Sequence, residues 1–217
     1  MALYIRKIFW LFFILLAAGM LPGCSIDQTH STADHADFSL DKNDLETYGL
    51  AFITPSTVTG QEEDKQTLAF AFANVMQESR PDIRLVTLPE TISAINVAGL
   101  AEDYKRMYVD YRDTGVFKRE LLKKVGDVTG TRYLAQLKLS DFSQNSKGRF
   151  SFFGLRLAQT KEANIRMFFQ IWDSLDGTIA WEGTEEMSYS WDTVSEKPVT
   201  FRTIVEKTAH NLITLLP

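Results

Sequence analysis

Cysteine is almost missing: the 217 residues hold one, Cys24. A single thiol closes no disulfide within the chain, so an ordinary hydrophobic core must hold the fold. Histidine is scarce too, with three. His30 and His35 stand in a polar, acidic stretch with no cysteine beside them, which is not zinc-ligand spacing. His210 falls on the flank of the last apolar-periodic segment, where a partly buried structural role is expected, because there is no cysteine or glycine-elbow serine for it to activate. The glycines form no phosphate loop, since "GDVTG" (Gly126 to Gly130) lacks the lysine and the spacing of one. Acid pairs such as Glu62 and Glu63, or Glu185 and Glu186, fit a helix start and a solvated strand edge. No catalytic set, metal site or cofactor is therefore expected, and the chain reads as a non-enzyme. A basic surface is also lacking: the net charge is −5, which argues against a nucleic-acid partner.

What is there begins at the N-terminus. Arg6 and Lys7 precede an apolar run from Ile8 to Leu21. The run is short of the roughly 20 apolar residues that a spanning helix needs, and its basic start and small-residue end are those of a secretory signal peptide. Leu21-Pro22-Gly23-Cys24 closes it. This stretch resembles the lipobox of bacterial lipoproteins, with Leu at −3, a small residue at −1 and Cys at +1. The resemblance implies cleavage before Cys24 and a lipid on that residue, whose thiolate is the nucleophile that takes up the diacylglyceryl group. Two acyl chains, at about 0.8 kcal/mol per buried methylene, hold a protein on a bilayer. Ser25 follows rather than Asp, which by the same resemblance implies the periplasmic face of the outer membrane, with the inner membrane as the other destination.

Removing residues 1–23 takes away Arg6, Lys7 and no acid, so the net charge moves from −5 to −7. Residues 24–47 are polar, acidic and poor in large apolar side chains, and are expected to form a flexible tether after the lipidated Cys24. Residues 48–217 have the length of a single domain.

Within that domain the periodicities alternate. "YGLAFITP" (Tyr48 to Pro55) reads as a buried strand. "QEEDKQTLAFAFANVMQES" reads as a helix with acids in its first turn and Leu68, Phe72, Val75 and Met76 inward. "IRLVTL" is a second strand, and Pro89 suits the start of a helix carrying Ile92, Ile95 and Val97. Residues 100–113 and 116–130 form two more helices. Val116, Phe117, Leu121, Leu122 and Val125 make the inner face of the second, and Gly130 takes a left-handed C-terminal position. From Thr131 the period becomes two. "RYLAQLKLSDF" is a strand, "SQNSKG" (Ser143 to Gly148) a turn, and "RFSFFGLRLA" and "NIRMFFQIWDS" two strands. "LDG" (Leu175 to Gly177) is a hairpin signal before "TIAWEGTEEMSYSW". The segment 198–216 closes the chain as a helix with Ile204, Val205, Thr208, Leu212 and Leu215 inward. The fold class is α+β: a mixed sheet with β-α-β, further helices, an antiparallel β-meander and a C-terminal helix.

"GTRYLAQLKLSDF" and "IRMFFQIWDSLDGTIAWEG" resemble the strand and the strand–turn–strand of CsgG-like and TolB N-terminal-like periplasmic domains. Asp173, Asp176, Gly177 and Trp181 lie in that hairpin. Asp176-Gly177 supplies the turn backbone, and Trp172 and Trp181 are expected to cover one sheet face together. The Phe150–Phe153 stretch is either an aromatic core strand or a contact patch. The expected function is a membrane-anchored periplasmic binding or assembly module of the cell envelope, attached through the lipid on Cys24. Its expected partner is another envelope protein, and homo-oligomerisation is left open. The resemblance implies a secretion-pore subunit as the alternative, and an envelope enzyme ranks last.

Overall fold

The computed structural model describes residues 27–152, 155–193 and 200–217. Seven strands form one mixed sheet: β1 (Asp27–Asp37), β2 (Leu50–Phe52), β3 (Ser56–Thr57), β4 (Leu85–Val86), β5 (Tyr133–Phe152), β6 (Leu155–Asp173) and β7 (Ile179–Thr193). Their order across the sheet is β1-β7-β6-β5-β2-β4, with β3 also against β5. β2 lies parallel to β4 and β5, whereas β5, β6, β7 and β1 run antiparallel to one another. Six helices complete the described chain: α1 (Asp44–Tyr48), α2 (Glu62–Ser79), α3 (Leu88–Val97), α4 (Ala101–Thr114), α5 (Arg119–Thr129) and α6 (Phe201–Ile213). The class is α+β, as the periodicities imply.

Two cores sit on opposite faces of the sheet. On one face, α2 and α6 cover Phe52, Tyr133, Leu137, Phe169, Ile171 and Trp181, burying Leu68, Phe72 and Met76 from α2 and Ile204, Val205 and Leu212 from α6. On the other, α3, α4 and α5 cover Ala51, Ile53, Leu134 and Trp172 with Ile95, Met107, Tyr111, Leu121, Leu122 and Val125, together with Phe117 from the α4–α5 connection. Each large side chain withdrawn from water this way contributes about 2 kcal/mol. The helix ends follow local chemistry. The Thr87 N–H donates to Glu90 Oε2 at 2.7 Å in a capping box that starts α3. Gly115 and Gly130 end α4 and α5 with φ of 73° and 67°, which a residue with a Cβ rarely adopts.

Several expectations give way. The stretch read as a tether carries β1, which pairs with β7 from Asp27↔Trp191 to Asp37↔Trp181, and it is followed by buried Leu40 and Leu45. Ladder pairing uses main-chain groups, so a polar composition does not forbid it once a partner edge exists. "SQNSKG" is no turn: the β5–β6 ladder runs on through Ser143↔Asn164 to Gly148↔Gln159 and ends at Phe152↔Leu155, with register shifts at Leu139/Asp141 and near Phe150. Turn-type residues state a local preference, and a cross-strand partner far along the chain overrides it. The helix expected from Val116 begins at Arg119, leaving Val116 exposed. Of the three apolar residues α3 carries, Ile95 is buried beside Thr91, whereas Ile92 and Val97 face solvent. Trp172 and Trp181 lie on opposite faces. Trp181 pairs with Ile171, so the next residue, Trp172, points the other way.

Candidate functional surfaces

The β6–β7 turn is built from side chains that hold its own backbone. Asp173 Oδ1 accepts the Leu175 N–H at 2.8 Å, and Asp176 Oδ1 accepts from the Thr178 N–H at 2.9 Å and its hydroxyl at 2.6 Å. The Thr178 hydroxyl and N–H also hold the Asp176 carboxyl below the usual carboxylate range. Gly177 has φ of 79°, and a Cβ there would come within 2.8 Å of Arg119 Cβ. The other oxygen of Asp173 faces Arg132, whose guanidinium lies 5.1 Å from the Tyr48 ring centre and 5.2 Å from that of Tyr133. The hydroxyl of Tyr133 donates to Asp44 Oδ2 at 2.6 Å. These residues lock the hairpin to β5 and α1, an arrangement of structural rather than catalytic character.

A buried carboxylate joins three elements at the other edge. Glu185 on β7 is fully buried. Its Oε1 accepts from Ser31 Oγ on β1 at 2.5 Å and from Asn211 Nδ2 on α6 at 2.7 Å, and its Oε2 has no partner. Burial raises its pKa, against the two hydrogen bonds that lower it. On the same face His35 stacks on Trp181, with ring centres 6.1 Å apart. On the opposite side of the sheet, Tyr104 Oη accepts the Thr54 N–H at 2.9 Å and lies 3.2 Å from Tyr108 Oη. Burial pushes both phenols up, Tyr108 the further. The Thr54 hydroxyl lies 3.0 Å from Tyr104 Oη and joins the same network.

Among the described residues, two surfaces are open to a partner. One is the part of the α3–α5 face that those helices leave bare. There Asn164, Ser188 and His30 lie in one cross-strand row, and Arg166, Glu186 and Thr32 in the next. Ser188 donates to Asn164 at 2.6 Å, Arg166 Nε lies 2.6 Å from Glu186, and these rows line a shallow polar depression of about 270 Å³. The other is an apolar groove of about 790 Å³ between α2 and the start of α3, floored by Ala69, Ala73 and Leu88 and walled by Phe70 and Ile92. Phe70 is 57% exposed and Ile92 44%, which is unusual for such side chains. Arg202 of α6 covers one side of the Phe70 ring at 5.4 Å. Gln66, Asn74 and Gln77 give the groove a polar rim.

The sequence-derived sites divide cleanly. Asp173, Asp176 and Gly177 lie at the β6–β7 turn, whereas Trp181 is buried in the α2–α6 core with its ring centre 5.4 Å from that of Phe169. Leu21, Pro22, Gly23 and Cys24 lie outside the described residues, as does Phe153 of the aromatic stretch. His30 and His35 sit on opposite faces of β1, and His210 is exposed rather than partly buried, because the inner face of α6 is filled by Val205, Thr208, Ala209 and Leu212. Among the described residues no three His, Cys, Asp or Glu gather where they could hold a metal ion. No helix among them is long and apolar enough to cross a membrane. The groove was invisible in the sequence, where Phe70 and Ile92 fit ordinary helical spacing; only their neighbours on the second helix set them apart.

No protein-family model matches this chain, and a search of curated proteins gives no match. Among solved structures it is similar to the PelC dodecamer from Paraburkholderia phytofirmans, with a TM-score of 0.48 and 11% identity over 86% of this chain and 94% of that one. It is similar to the lipoprotein GNA1162 from Neisseria meningitidis, with a TM-score of 0.39 and 10% identity over 77% of this chain and 98% of that one. A third is the LpoB C-terminal domain from Salmonella enterica, with a TM-score of 0.33 and 16% identity over 64% and 81%.

Proposed function

We propose that the chain is a lipoprotein of the bacterial outer membrane, held on its periplasmic face by lipid on Cys24, and that its domain serves as a non-catalytic binding or assembly module. The observation that carries this reading is the placement of Leu21-Pro22-Gly23-Cys24 at the end of the N-terminal apolar run. β1 starts three residues later, so the folded body begins almost at the anchor. The three residues from Cys24 to Asp27 reach at most about 11 Å. The α2–α3 groove supports the binding part: its exposed apolar walls and polar rim suit the apolar face of a helix from another envelope protein. The named polar networks satisfy turns and strand contacts, which leaves them no evident chemistry.

A pore subunit would need lipid-spanning strands of about 9–11 residues. Among the described residues the last β6–β7 pair is Gln159↔Thr193, and past it the β5–β6 ladder runs to Phe152↔Leu155, shorter than such a strand. That geometry favours the binding module over the pore. Mass spectrometry of the mature N-terminus tests the anchor: the reading expects a first residue Cys24 carrying acyl mass, in the outer-membrane fraction. Photo-crosslinkers at Gln66 and Gln77 in intact cells test the module. Repeated capture of one envelope protein supports it, and no specific adduct removes it.

A further inference from the structure

The α2 side of the groove carries a repeating stripe. Gln66, Phe70, Ala73 and Gln77 stand four, three and four residues apart, and all four line the groove. On a helix of 3.6 residues per turn they fall within a band of about 60°. Gln66, Phe70 and Gln77 are exposed, whereas Ala73 is 4% exposed and Ala69, on the flank of the stripe, 3%. A ring therefore stands out at Phe70, and one turn further on the surface drops to a methyl group. From Gln66 to Gln77 the helix carries no charged residue, although 24% of the chain is charged. Depletion of charge marks the core of a protein–protein interface.

Such a stripe complements itself when it is turned end for end. Two copies of α2 laid antiparallel, about a two-fold axis midway between Phe70 and Ala73, set Phe70 of each opposite Ala73 of the other and Gln66 opposite Gln77. In a contact of this symmetry every pairing occurs twice. Each ring fills the hollow above the other copy's Ala73, as a knob enters a hole. Each facing pair of amides holds both donors and acceptors. Parallel packing sets Phe70 against Phe70 and Ala73 against Ala73, which leaves one layer crowded and the next empty. It also lays the acidic first turns, with Glu62, Glu63 and Asp64, side by side, where like charges repel and the helix dipoles oppose one another. Antiparallel packing holds those turns at opposite ends of helices about 27 Å long.

We propose that the protein whose helix enters the groove is a second copy of this chain, and that the two α2 helices pack antiparallel with Phe70 of each seated over Ala73 of the other. The inference deepens the binding-module reading above, rests on it, and names the partner for that groove. Leu88 extends the floor beyond α2 and Ile92 forms the far wall, so the inserted ring meets carbon from α3 as well as from α2.

The test crosslinks the full chain through introduced cysteines in intact cells. Two differently tagged forms, Gln66→Cys and Gln77→Cys, are produced together and treated with a short bismaleimide. The expected product is the mixed dimer that joins position 66 of one form to position 77 of the other. Dimers of either form alone are expected to be about tenfold scarcer, because equal positions lie about 17 Å apart along the helix axes. The native chain, whose one cysteine is Cys24, gives the background. Sedimentation of the purified full chain in detergent supplies a second measurement. Gln66→Glu/Gln77→Glu sets acid against acid in two layers and is expected to weaken the dimer by about tenfold, whereas Gln66→Glu/Gln77→Lys sets acid against base and restores it. Both variants are expected to melt with the native chain, since positions 66 and 77 are exposed. Crosslinks between like positions, or equal sedimentation of the two variants, overturn the proposal. Adducts to a different protein, with no mixed dimer, also overturn it and leave the binding module standing. No adduct of any kind removes both.

Discussion

Arg132 donates from Nε and from Nη2 to the same oxygen of Asp173, Oδ2, at 2.9 and 2.6 Å. The pair joins the start of β5 to the end of β6. The Asp173 side chain is 3% exposed and that of Arg132 30%. Asp173→Ala strips the arginine of its anion and the Leu175 N–H of its acceptor. The expected loss is about 3 kcal/mol of unfolding free energy, reduced toward 2 by the arginine's partial exposure. Urea unfolding followed by circular dichroism measures it, and a change below about 0.5 kcal/mol contradicts the role assigned to the pair.

Glu185 sets a pH dependence of a definite sign. Its folded pKa is raised by burial above the unfolded value. Between those two values the folded state holds a proton that the unfolded state has released. Stability therefore falls as pH rises through that window, from the ordinary carboxylate range to the raised folded value, and is flat above it. Glu185→Gln is expected to remove this slope while staying within about 1 kcal/mol of the native chain at neutral pH, because an amide oxygen still accepts from Ser31 and Asn211. Melting temperature across pH for both chains decides. An unchanged slope in the variant assigns the dependence elsewhere.

Gly183 lies where β7 passes under α6. A Cβ there would sit 2.9 Å from Cζ3 of Trp181 and 3.1 Å from Cδ2 of Leu212. Both neighbours are fully buried, so neither yields freely. Gly183→Ala is expected to cost about 1–3 kcal/mol by overpacking. A melting temperature equal to that of the native chain speaks against this close approach.

The groove separates binding from folding. Phe70 and Ile92 are exposed, so Phe70→Ala and Ile92→Ala are expected to shift stability by no more than about 0.5–1 kcal/mol. Together they are expected to abolish the adducts formed through crosslinkers at Gln66 and Gln77. Equal crosslinking in the variant means that the groove is not where the partner lies.

Much of the architecture was legible in the residues. Leu68, Phe72 and Met76 at helical spacing gave α2 and its buried side, and the alternation from Tyr133 to Leu139 gave β5 and its two faces. Both signals are periodic over many residues and belong to one element. The left-handed turn position at Gly130 was legible for a similar reason, because its conformation is a property of the residue itself. What could not be read was pairing. β1 has no apolar pattern and exists because β7 offers it an edge; residues 143–148 carry turn-type side chains and are strand because β6 lies opposite.

The sequence by itself determined the α+β class, the position of its long helices and the N-terminal motif that ends at Cys24, since each depends on neighbours close along the chain. Only the tertiary structure decided that β1 closes the sheet edge, that Trp172 and Trp181 part to opposite cores, that Phe70 and Ile92 line one groove, and that Asp27 shares a row with Trp191, Lys161 and Ser146. Those relations join residues up to 164 positions apart, as in Asp27↔Trp191. Their energy comes from main-chain ladders and close packing between distant segments, which no local window of residues contains.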